Sequence, residues 1–512
     1  MTSVRPRLLA AVPLLGLAVA LMPSSAPATL PDSCNGFVDV ALGSPKANVG
    51  GLADGGTVTL VFESEDGTFG NDADLTITEA DLNGGVAPAA YTKFGASVVW
   101  GFEDSEPSCS IVAVGAPGAN GGAGKVYVFT VDKDGIVPAS ITVISQDTAG
   151  VEDTAEPGDG FGSSLHFGGD LSVSWLAVGS PGEDIGSAVD AGVVHVLPYA
   201  SGWGTGSLMY RQGRSPVTGG AETGDHFGAA LGAGRDVWSL WVGAPEEDLG
   251  TRTDTGVITS LRGSYDATKD VLTLPGKAGA VTISQDSTGV PGSAEKGDHF
   301  GAVLTALVGT QSTDRQPVIG VPGENLGSAA DVGAIVVTYS DNTWAAFVQG
   351  TKTTGGAVDD KPEAGDRFGA SLSAWGTVLL IGAPGEDVGT IKDAGMIHRM
   401  TAKGAPVPKL SAAREQSVTQ NTSAVDDSAE TGDRYGAAVA FGINGAVIGV
   451  PGEDVTGVVD AGALSFLRYI SGVPENGLTA TGDLVLWQGT PHFPGTLETG
   501  SGFGSVAYSI AQ

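Results

Sequence analysis

The sequence is poor in cysteine, in aromatic residues and in positive charge, and each shortage narrows the possibilities. Two cysteines in 512 residues allow at most one intramolecular disulfide. Lys and Arg number 25 against 58 Asp and Glu, and the resulting net charge of −33 repels phosphate backbones and anionic lipid headgroups. Aromatic residues make up only 6%, which leaves no obvious stacking platform for carbohydrate. Nucleic acid is therefore excluded as a partner, whereas cations and cationic protein surfaces are not.

Long apolar runs are missing beyond the N-terminus. Leu8–Met22 is an apolar run of 15 residues, shorter than the ~20 residues that span a bilayer, so we expect no membrane span. It follows two arginines and precedes Ala26-Pro27-Ala28, a pattern typical of a secretory signal with its cleavage site. We expect residues 1–28 to be a signal peptide and residues 29–512 to be a secreted protein, with an uncleaved anchor as the alternative.

Glycine, by contrast, is abundant, with 81 residues, and much of it belongs to a repeat. A Phe-Gly pair (once Tyr-Gly) recurs in register seven times, at spacings of 66 to 73 residues. A Gly-small-Pro step that follows an apolar run also occurs seven times. The pairs begin at Phe94, Phe161, Phe227, Phe300, Phe368, Tyr435 and Phe503, and the steps at Gly43, Gly115, Gly179, Gly243, Gly320, Gly382 and Gly449.

Each repeat unit consists of short runs of β-branched and apolar residues bounded by Gly, Asp and Pro, which predict strands. No segment shows a sustained helical period. Four strands in each of seven units predict an all-β fold, a seven-bladed β-propeller of four-stranded antiparallel blades. The first strand of each unit, as in FGAAL, FGASL and YGAAV, has small side chains that suit strands crowded around a central channel.

The two ends of the chain carry complementary halves of one unit. The C-terminal segment Phe503–Ala507 is expected to be the first strand of a blade whose other strands are Val38–Gly43, Thr57–Phe62 and Leu75–Thr78. The ring would then close by strand pairing between the two ends.

The two cysteines, Cys34 and Cys109, precede the Gly-small-Pro strands of adjacent blades in this ring. A lone pair in an exported protein usually forms a disulfide, which we expect here, with two buried thiols as the alternative. The bridge would close a loop of about 75 residues and stabilise the ring by ~4 kcal/mol.

Segments such as FGASVVWG, IVAVGAPGANGGAGKVYVF and YGAAVAFGINGAVIGVPGEDVTGVVDAGAL resemble the FG-GAP repeat family, whose best-known member is the N-terminal propeller of integrin α-chains. The resemblance covers essentially all of residues 29–512 and implies a propeller used for recognition, often in adhesion or at the cell surface. Family members commonly carry an Asp-x-Asp-x-Asp-Gly calcium cage between the Phe-Gly strand and the next strand. Here that link is a short turn, such as Ala374-Trp375-Gly376-Thr377, so those calcium sites do not carry over.

Two other acidic elements recur in five units: the motif Gly-Asp-x-Phe-Gly and the loop after the Pro, as in PGEDIGSAVDAG. Both fall in connections that emerge on the same face of an antiparallel blade. Two charges ~10 Å apart repel by ~0.4 kcal/mol in water, so this crowding needs an explanation. Turn formation by Asp and Gly is one interpretation, and bound calcium is the other. The candidate calcium ligands are Asp159, Glu183, Asp184, Asp190, Asp225, Glu247, Asp248, Asp254, Asp298, Glu324, Asp331, Asp366, Glu386, Asp387, Asp393, Asp433, Glu453, Asp454 and Asp460.

A glutamine, once replaced by glutamate, recurs 15 residues before the Phe or Tyr of the motif. Its amide can satisfy backbone groups of the following loop, so we interpret it as a loop clamp, with a ligand contact as the alternative. In one unit the spacing is 19 residues, which predicts a four-residue insertion. The series is Glu79, Gln146, Gln212, Gln285, Gln349, Gln420 and Gln488.

Signatures of catalysis are missing from the sequence: there is no Gly-x-Ser-x-Gly elbow and no His-Glu-x-x-His. We expect a monomeric, non-catalytic propeller that serves as a binding or adhesion module for an extracellular protein or cell-surface ligand, with calcium as the one possible cofactor. The alternatives are a glycosidase-like extracellular hydrolase with a carboxylate pair at the channel mouth, and a purely structural envelope protein.

Overall fold

The computed structural model describes most of the chain. The signal peptide (1–28) and both cysteines, Cys34 and Cys109, lie outside the described residues, so these predictions stay open. The described residues are 38–62, 74–86, 88–102, 110–132, 135–169, 173–199, 203, 205–266, 271–309, 314–353, 356–404, 406–423, 425–442, 444–490, 493 and 496–508.

Short antiparallel strands dominate the described residues, as predicted from the short apolar runs that Gly, Asp and Pro bound in the sequence. In chain order they are β1 (Val38–Ser44), β2 (Thr57–Phe62), β3 (Leu75–Ile77), β4 (Ser97–Phe102), β5 (Ser110–Ala116), β6 (Lys125–Asp132), β7 (Gly135–Ile136), β8 (Thr142–Ile144), β9 (Ser164–Gly168), β10 (Trp175–Ser180), β11 (Val193–Pro198), β12 (Leu208–Tyr210), β13 (Ala230–Ala233), β14 (Leu240–Ala244), β15 (Val257–Leu261), β16 (Ser264–Asp266), β17 (Val271–Thr273), β18 (Ala280–Ile283), β19 (Val303–Val308), β20 (Arg315–Val321), β21 (Ala334–Thr338), β22 (Trp344–Phe347), β23 (Lys352–Thr353), β24 (Gly356–Ala357), β25 (Ser371–Trp375), β26 (Val378–Ala383), β27 (Met396–Lys403), β28 (Lys409–Val418), β29 (Ala438–Phe441), β30 (Gly445–Val450), β31 (Ala463–Tyr469), β32 (Leu478–Leu486) and β33 (Val506–Tyr508).

Among the described residues, helices are few and short. The α-helix α1 spans Glu79–Leu82, and 3-10 turns span Ala119–Gly122, Pro138–Ser140, Ile470–Gly472 and Pro474–Asn476. No helix in the described part of the chain is long and apolar enough to cross a membrane.

The strands form seven blades, each ordered here from the innermost strand outward. Blade 1 is β33-β1-β2-β3, blade 2 is β4-β5-β6-β8 with β7 also on β6, and blade 3 is β9 to β12. Blade 4 is β13-β14-β15-β18, and blades 5, 6 and 7 are β19 to β22, β25 to β28 and β29 to β32. Two hairpins, β16-β17 and β23-β24, lie outside the blades. The second occupies the predicted four-residue insertion after Gln349.

The ring closes as the sequence predicts. The innermost strands contact one another in the order β33, β4, β9, β13, β19, β25, β29 and back to β33. In blade 1 the C-terminal strand pairs antiparallel with the first strand of the chain, and Leu42 lies opposite Ala507. The seven-bladed propeller is therefore confirmed.

The innermost strands begin later than predicted. Each starts three residues after the aromatic residue of its motif, as β4 at Ser97 follows Phe94. The reason is the glycine after the aromatic residue, such as Gly95 with a φ of 87°, which places the Phe-Gly pair in a turn. The aromatic ring itself is buried in all seven units.

The two halves of the repeat meet between neighbouring blades. A Cβ on Gly179 of blade 3 would overlap the carbonyl oxygen of Gly228 in blade 4, so the strands approach backbone to backbone. The core likewise lies between blades: Phe161 and Leu176 of blade 3 pack with Val126 of blade 2 in one buried cluster. The glycine contact recurs at every junction, between Gly43 and Gly95, Gly115 and Gly162, Gly243 and Gly301, Gly320 and Gly369, Gly382 and Gly436, and Gly449 and Gly504.

Candidate functional site

The acidic elements lie on one face of the ring, which we call the loop face. Here the loop between the second and third strands of a blade touches the connections that enter that blade and leave it. In blade 3, the Gly182 N–H donates to the Asp159 carbonyl oxygen (3.1 Å), and the Gly224 N–H donates to the Val189 carbonyl oxygen (2.9 Å). The loops and connections therefore interlock into a continuous surface.

The aspartate of Gly-Asp-x-Phe-Gly closes a turn. Asp159 is buried, and its Oδ2 accepts the backbone N–H of Glu156 at 2.5 Å. Burial raises the pKa of Asp159 to about 6, against the opposing effect of this hydrogen bond. The turn interpretation accounts for these residues, because Asp225, Asp298, Asp366 and Asp433 accept from Glu222, Glu295, Glu363 and Glu430 in the same way.

The aspartate after the glutamate in the second acidic element also accepts a backbone hydrogen bond. Asp184 Oδ1 accepts the N–H of Asp190 at 2.9 Å, and Asp190 has a left-handed φ of 53°. Asp248, Asp387 and Asp454 bond Asp254, Asp393 and Asp460 in the same way. In blade 5 the acceptor is Asn325, bonded to Asp331 at 3.1 Å, and in blade 1 it is Asn48, bonded to Asp54 at 3.2 Å. Because the neutral side chain of an asparagine accepts the same backbone hydrogen bond, the turn requires a hydrogen-bond acceptor and not a negative charge.

The glutamate of the loop pairs with the recurrent glutamine. Gln146 Nε2 donates to Glu183 Oε2 at 2.6 Å, and both side chains are buried. The glutamine therefore clamps the loop through a carboxylate, where the sequence had predicted backbone groups as its partners. The amide oxygen Oε1 of Gln146 is buried without a partner among the described residues. The equivalent pairs are Gln212 with Glu247, Gln285 with Glu324, Gln349 with Glu386, and Gln420 with Glu453.

The pKa values of the clamp glutamates are raised. Burial, followed by the nearby charge of Asp159, raises the pKa of Glu183 to about 8. Burial raises the pKa of Glu386 to the same value, while its hydrogen bond from Gln349 acts in the opposite direction. In the described part of the chain, no group of three or more His, Cys, Asp or Glu side chains is arranged to hold a metal ion.

The entry to blade 2 departs from this pattern. Ala119 stands where other loops carry glutamate, and Glu79, in the register of the glutamines, accepts the hydroxyl of Tyr127 at 2.5 Å. Thr92 replaces the buried aspartate and donates to the Gly55 carbonyl oxygen at 2.9 Å. Its neighbour Tyr91 is exposed, a feature that the sequence analysis missed although the other units have glycine there.

The central channel contains a cavity of about 320 Å³ lined by residues of the innermost strands. No Asp or Glu is among the described residues that line it; the polar side chains include Thr305, Ser373 and His166. His166 lies against Trp175 with ring centroids 5.9 Å apart, and burial together with the charge of Arg315 lowers its pKa to about 4. The described residues that line the cavity therefore include no acidic side chain, and the lowered pKa of His166 favours its neutral form at physiological pH.

No protein-family model matches this chain, and no curated protein sequence matches it significantly. The assignment of the fold depends on the strand order and the closed ring. The interpretation of function depends on the loop face itself.

Proposed function

We propose that this chain is a secreted FG-GAP-type propeller, similar in plan to the integrin α-chain propeller, that binds an extracellular protein without catalysing a reaction. The observation that carries the proposal is the loop face, where five blades place the same carboxylate-bearing loops side by side. Asp184 and Asp454 are exposed there although each accepts a backbone hydrogen bond. A surface of this charge attracts cationic protein patches and speeds their encounter.

A glycosidase-like function has less support. Such enzymes place two carboxyl groups about 5–9.5 Å apart around the bond that they cleave. The recurrent carboxylates of the loop face are engaged in turns and clamps, and no Asp or Glu is among the described residues that line the channel cavity. Turnover of chromogenic glycosides by the purified protein would favour the hydrolase instead.

Calcium binding stays a prediction for the same loops. The buried, unpartnered amide oxygen of Gln146 beside the Glu183 carboxylate is the observation that favours it, because calcium prefers carboxylate and carbonyl oxygens. Adding calcium to the chelator-treated protein at pH 8 should raise the melting midpoint if a cation is held there. An unchanged melting midpoint would count against calcium, and only the turn interpretation would then remain.

The binding proposal is tested by retention on cell-wall and extracellular-matrix material from the producing cells. We expect saturable retention that weakens as salt rises from ~50 to ~500 mM, because the screening length shortens. A matched variant keeps every turn acceptor but removes four charges, with Asn replacing Asp at positions 184, 248, 387 and 454 as in the natural Asn325 turn. This variant should bind more weakly and depend less on salt. No retention of the unaltered protein at any salt would refute the proposal.

A further inference from the structure

One position breaks the seven-fold repeat in a way that the fold does not explain. Tyr91 directly follows the half-buried Ala90 and stands three residues before the buried Phe94, and it adopts a left-handed φ of 64°. Its counterparts in the other six units are all glycines with positive φ, namely Gly158, Gly224, Gly297, Gly365, Gly432 and Gly500. The left-handed conformation is unfavourable for a residue with a Cβ and is rare for bulky side chains.

The backbone N–H of Tyr91 makes the same contact as that of its glycine counterpart in five other units. Its N–H donates to the Ala53 carbonyl oxygen at 2.7 Å, as the Gly224 N–H does to Val189 at the blade 3–4 junction. The side chain gains little from the protein in return, because 61% of the residue is exposed. A bulky ring is thus held in a strained conformation and presented to solvent, which is the arrangement expected of a residue selected for contact with something else.

The surroundings of Tyr91 are open. The loop of blade 2 runs from Pro117 to Gly124, four residues shorter than the loop Pro181–Gly192 of blade 3. The longer loop projects a tight hairpin, with Ile185 paired to Ala188, whereas the shorter one makes only a 3-10 turn. Tyr91, whose carbonyl oxygen lies against Gly118 of this shorter loop, therefore stands beside a gap in the row of projecting loops.

The charge also changes here. Thr92 and Ala119 occupy positions that carry carboxylates in five other blades, and Lys93 is exposed. Asp54 contributes a backbone carbonyl that accepts the Lys93 N–H at 2.9 Å. Tyr91 is thus an exposed aromatic residue, 61% accessible, at a place where the carboxylates of the other blades are missing, and we call the surface around it the junction surface.

We propose that Tyr91 is the anchor by which the loop face docks a basic protein, inserting its ring into an apolar pocket of that partner. This inference rests on the proposed binding function and names the residue and the partner chemistry. Protein interfaces have charge-depleted, aromatic-rich centres and polar rims, and here the junction surface supplies the centre and the acidic loops supply the rim. A second copy of the chain is disfavoured as the occupant, because two molecules of charge −33 repel each other.

The test compares variants on the same cell-wall and matrix material, before and after proteinase K digestion of the material. Tyr91→Gly restores the residue of the other six units, so it should fold with an equal or higher melting midpoint while retention falls at least tenfold. Tyr91→Phe keeps the ring and should retain binding within about threefold. Val189→Ser, which alters another exposed apolar side chain of the loop face, is the matched control and should bind like the unaltered protein.

Binding to immobilised poly-lysine should be equal for all variants, which verifies that the acidic face is intact. Equal retention of Tyr91→Gly and the unaltered protein overturns the inference but leaves the binding function standing. Retention that survives digestion of the material shows that the partner is not a protein, and this also overturns it. If the unaltered protein is not retained at all, the proposed function and the inference fail together.

Discussion

At the scale of single residues, the loop face depends on backbone geometry more than on charge. The glycines of the two repeat motifs are required because backbones meet there, as Gly179 meets Gly228. The aspartates serve as acceptors for turns, as Asp184 does for Asp190. Part of the candidate ligand set, including Asp159 and Asp184, therefore also holds its own loops.

The close approach of glycines predicts a stability difference between two otherwise similar substitutions. Gly179→Ala should lower the free energy of unfolding by about 1–3 kcal/mol, because the added methyl group overlaps the Gly228 carbonyl. Gly220→Ala is the control: no atom lies within 4 Å of its Cβ position, and we expect a change within about 0.5 kcal/mol. Urea denaturation midpoints of the two variants measure this. Equal midpoints would contradict the account of the motif.

The turn role of Asp184 predicts that the amide can replace the carboxylate. Asp184→Asn should change the free energy of unfolding by less than about 0.5 kcal/mol, because Asn325 makes the same bond in blade 5. Asp184→Ala removes the acceptor and should cost about 1 kcal/mol. Thermal melts with excess calcium and with chelator complete the comparison. A loss in Asp184→Asn that appears only with calcium would favour the cation interpretation.

At the scale of the elements, the short strand β33 carries a large share of the architecture. It supplies the innermost strand of blade 1 and pairs with β1 through Ala41, Leu42 and Gly43. It also lies between β29 and β4 in the inner ring. The ring is therefore closed by three residues, Val506–Tyr508, at the far end of the chain.

Removing that strand tests the closure directly. Deletion of residues 503–512 should markedly lower the melting midpoint or cause aggregation, because it exposes the edge of β1 and removes buried Phe503. A synthetic peptide of residues 500–512 added to the truncated protein should raise the midpoint again, whereas a scrambled peptide should not. A truncated protein that melts like the full chain would show that closure by β33 contributes little.

At the scale of the whole molecule, the protein is highly acidic and yet buries many of its carboxyl groups. The chain carries a net charge of −33, yet each of five blades buries a Glu–Gln clamp or an Asp-centred turn at its loop face. The folded state raises the pKa of these carboxyls, to about 8 for Glu183 and Glu453 and about 6 for Asp159. The folded protein therefore binds more protons than the unfolded chain between about pH 4 and pH 8.

Stability should consequently fall as pH rises through that window, because the unfolded state releases these protons first. Melting midpoints measured by calorimetry at pH 5, 6, 7 and 8 in the presence of chelator should decrease steadily. Glu386→Gln removes one of the responsible groups and should flatten the dependence, since burial holds the pKa of Glu386 at about 8. A midpoint that rises between pH 5 and pH 8 would contradict the direction of these pKa shifts.

The fold was largely predictable from the sequence. Phe-Gly and Gly-small-Pro steps mark local turns and strand ends, and their sevenfold count and offset at the two chain ends predict the number of blades and the pairing of Leu42 with the C-terminal segment. The predicted start of the innermost strands at the aromatic residue was wrong by three residues, because Gly95 and its counterparts turn the chain first.

The roles of the loop-face residues were decided only by the tertiary structure. A repeat shows that Gln146 and Glu183 recur, but their hydrogen bond forms because the connection entering blade 3 lies against that blade's own loop. The exposure of Tyr91, which lies beside the short loop of blade 2, is likewise a property of the packed blades and not of the local sequence. Local sequence determines strands and turns, whereas contacts between segments distant in the chain determine which side chains are occupied and which face solvent.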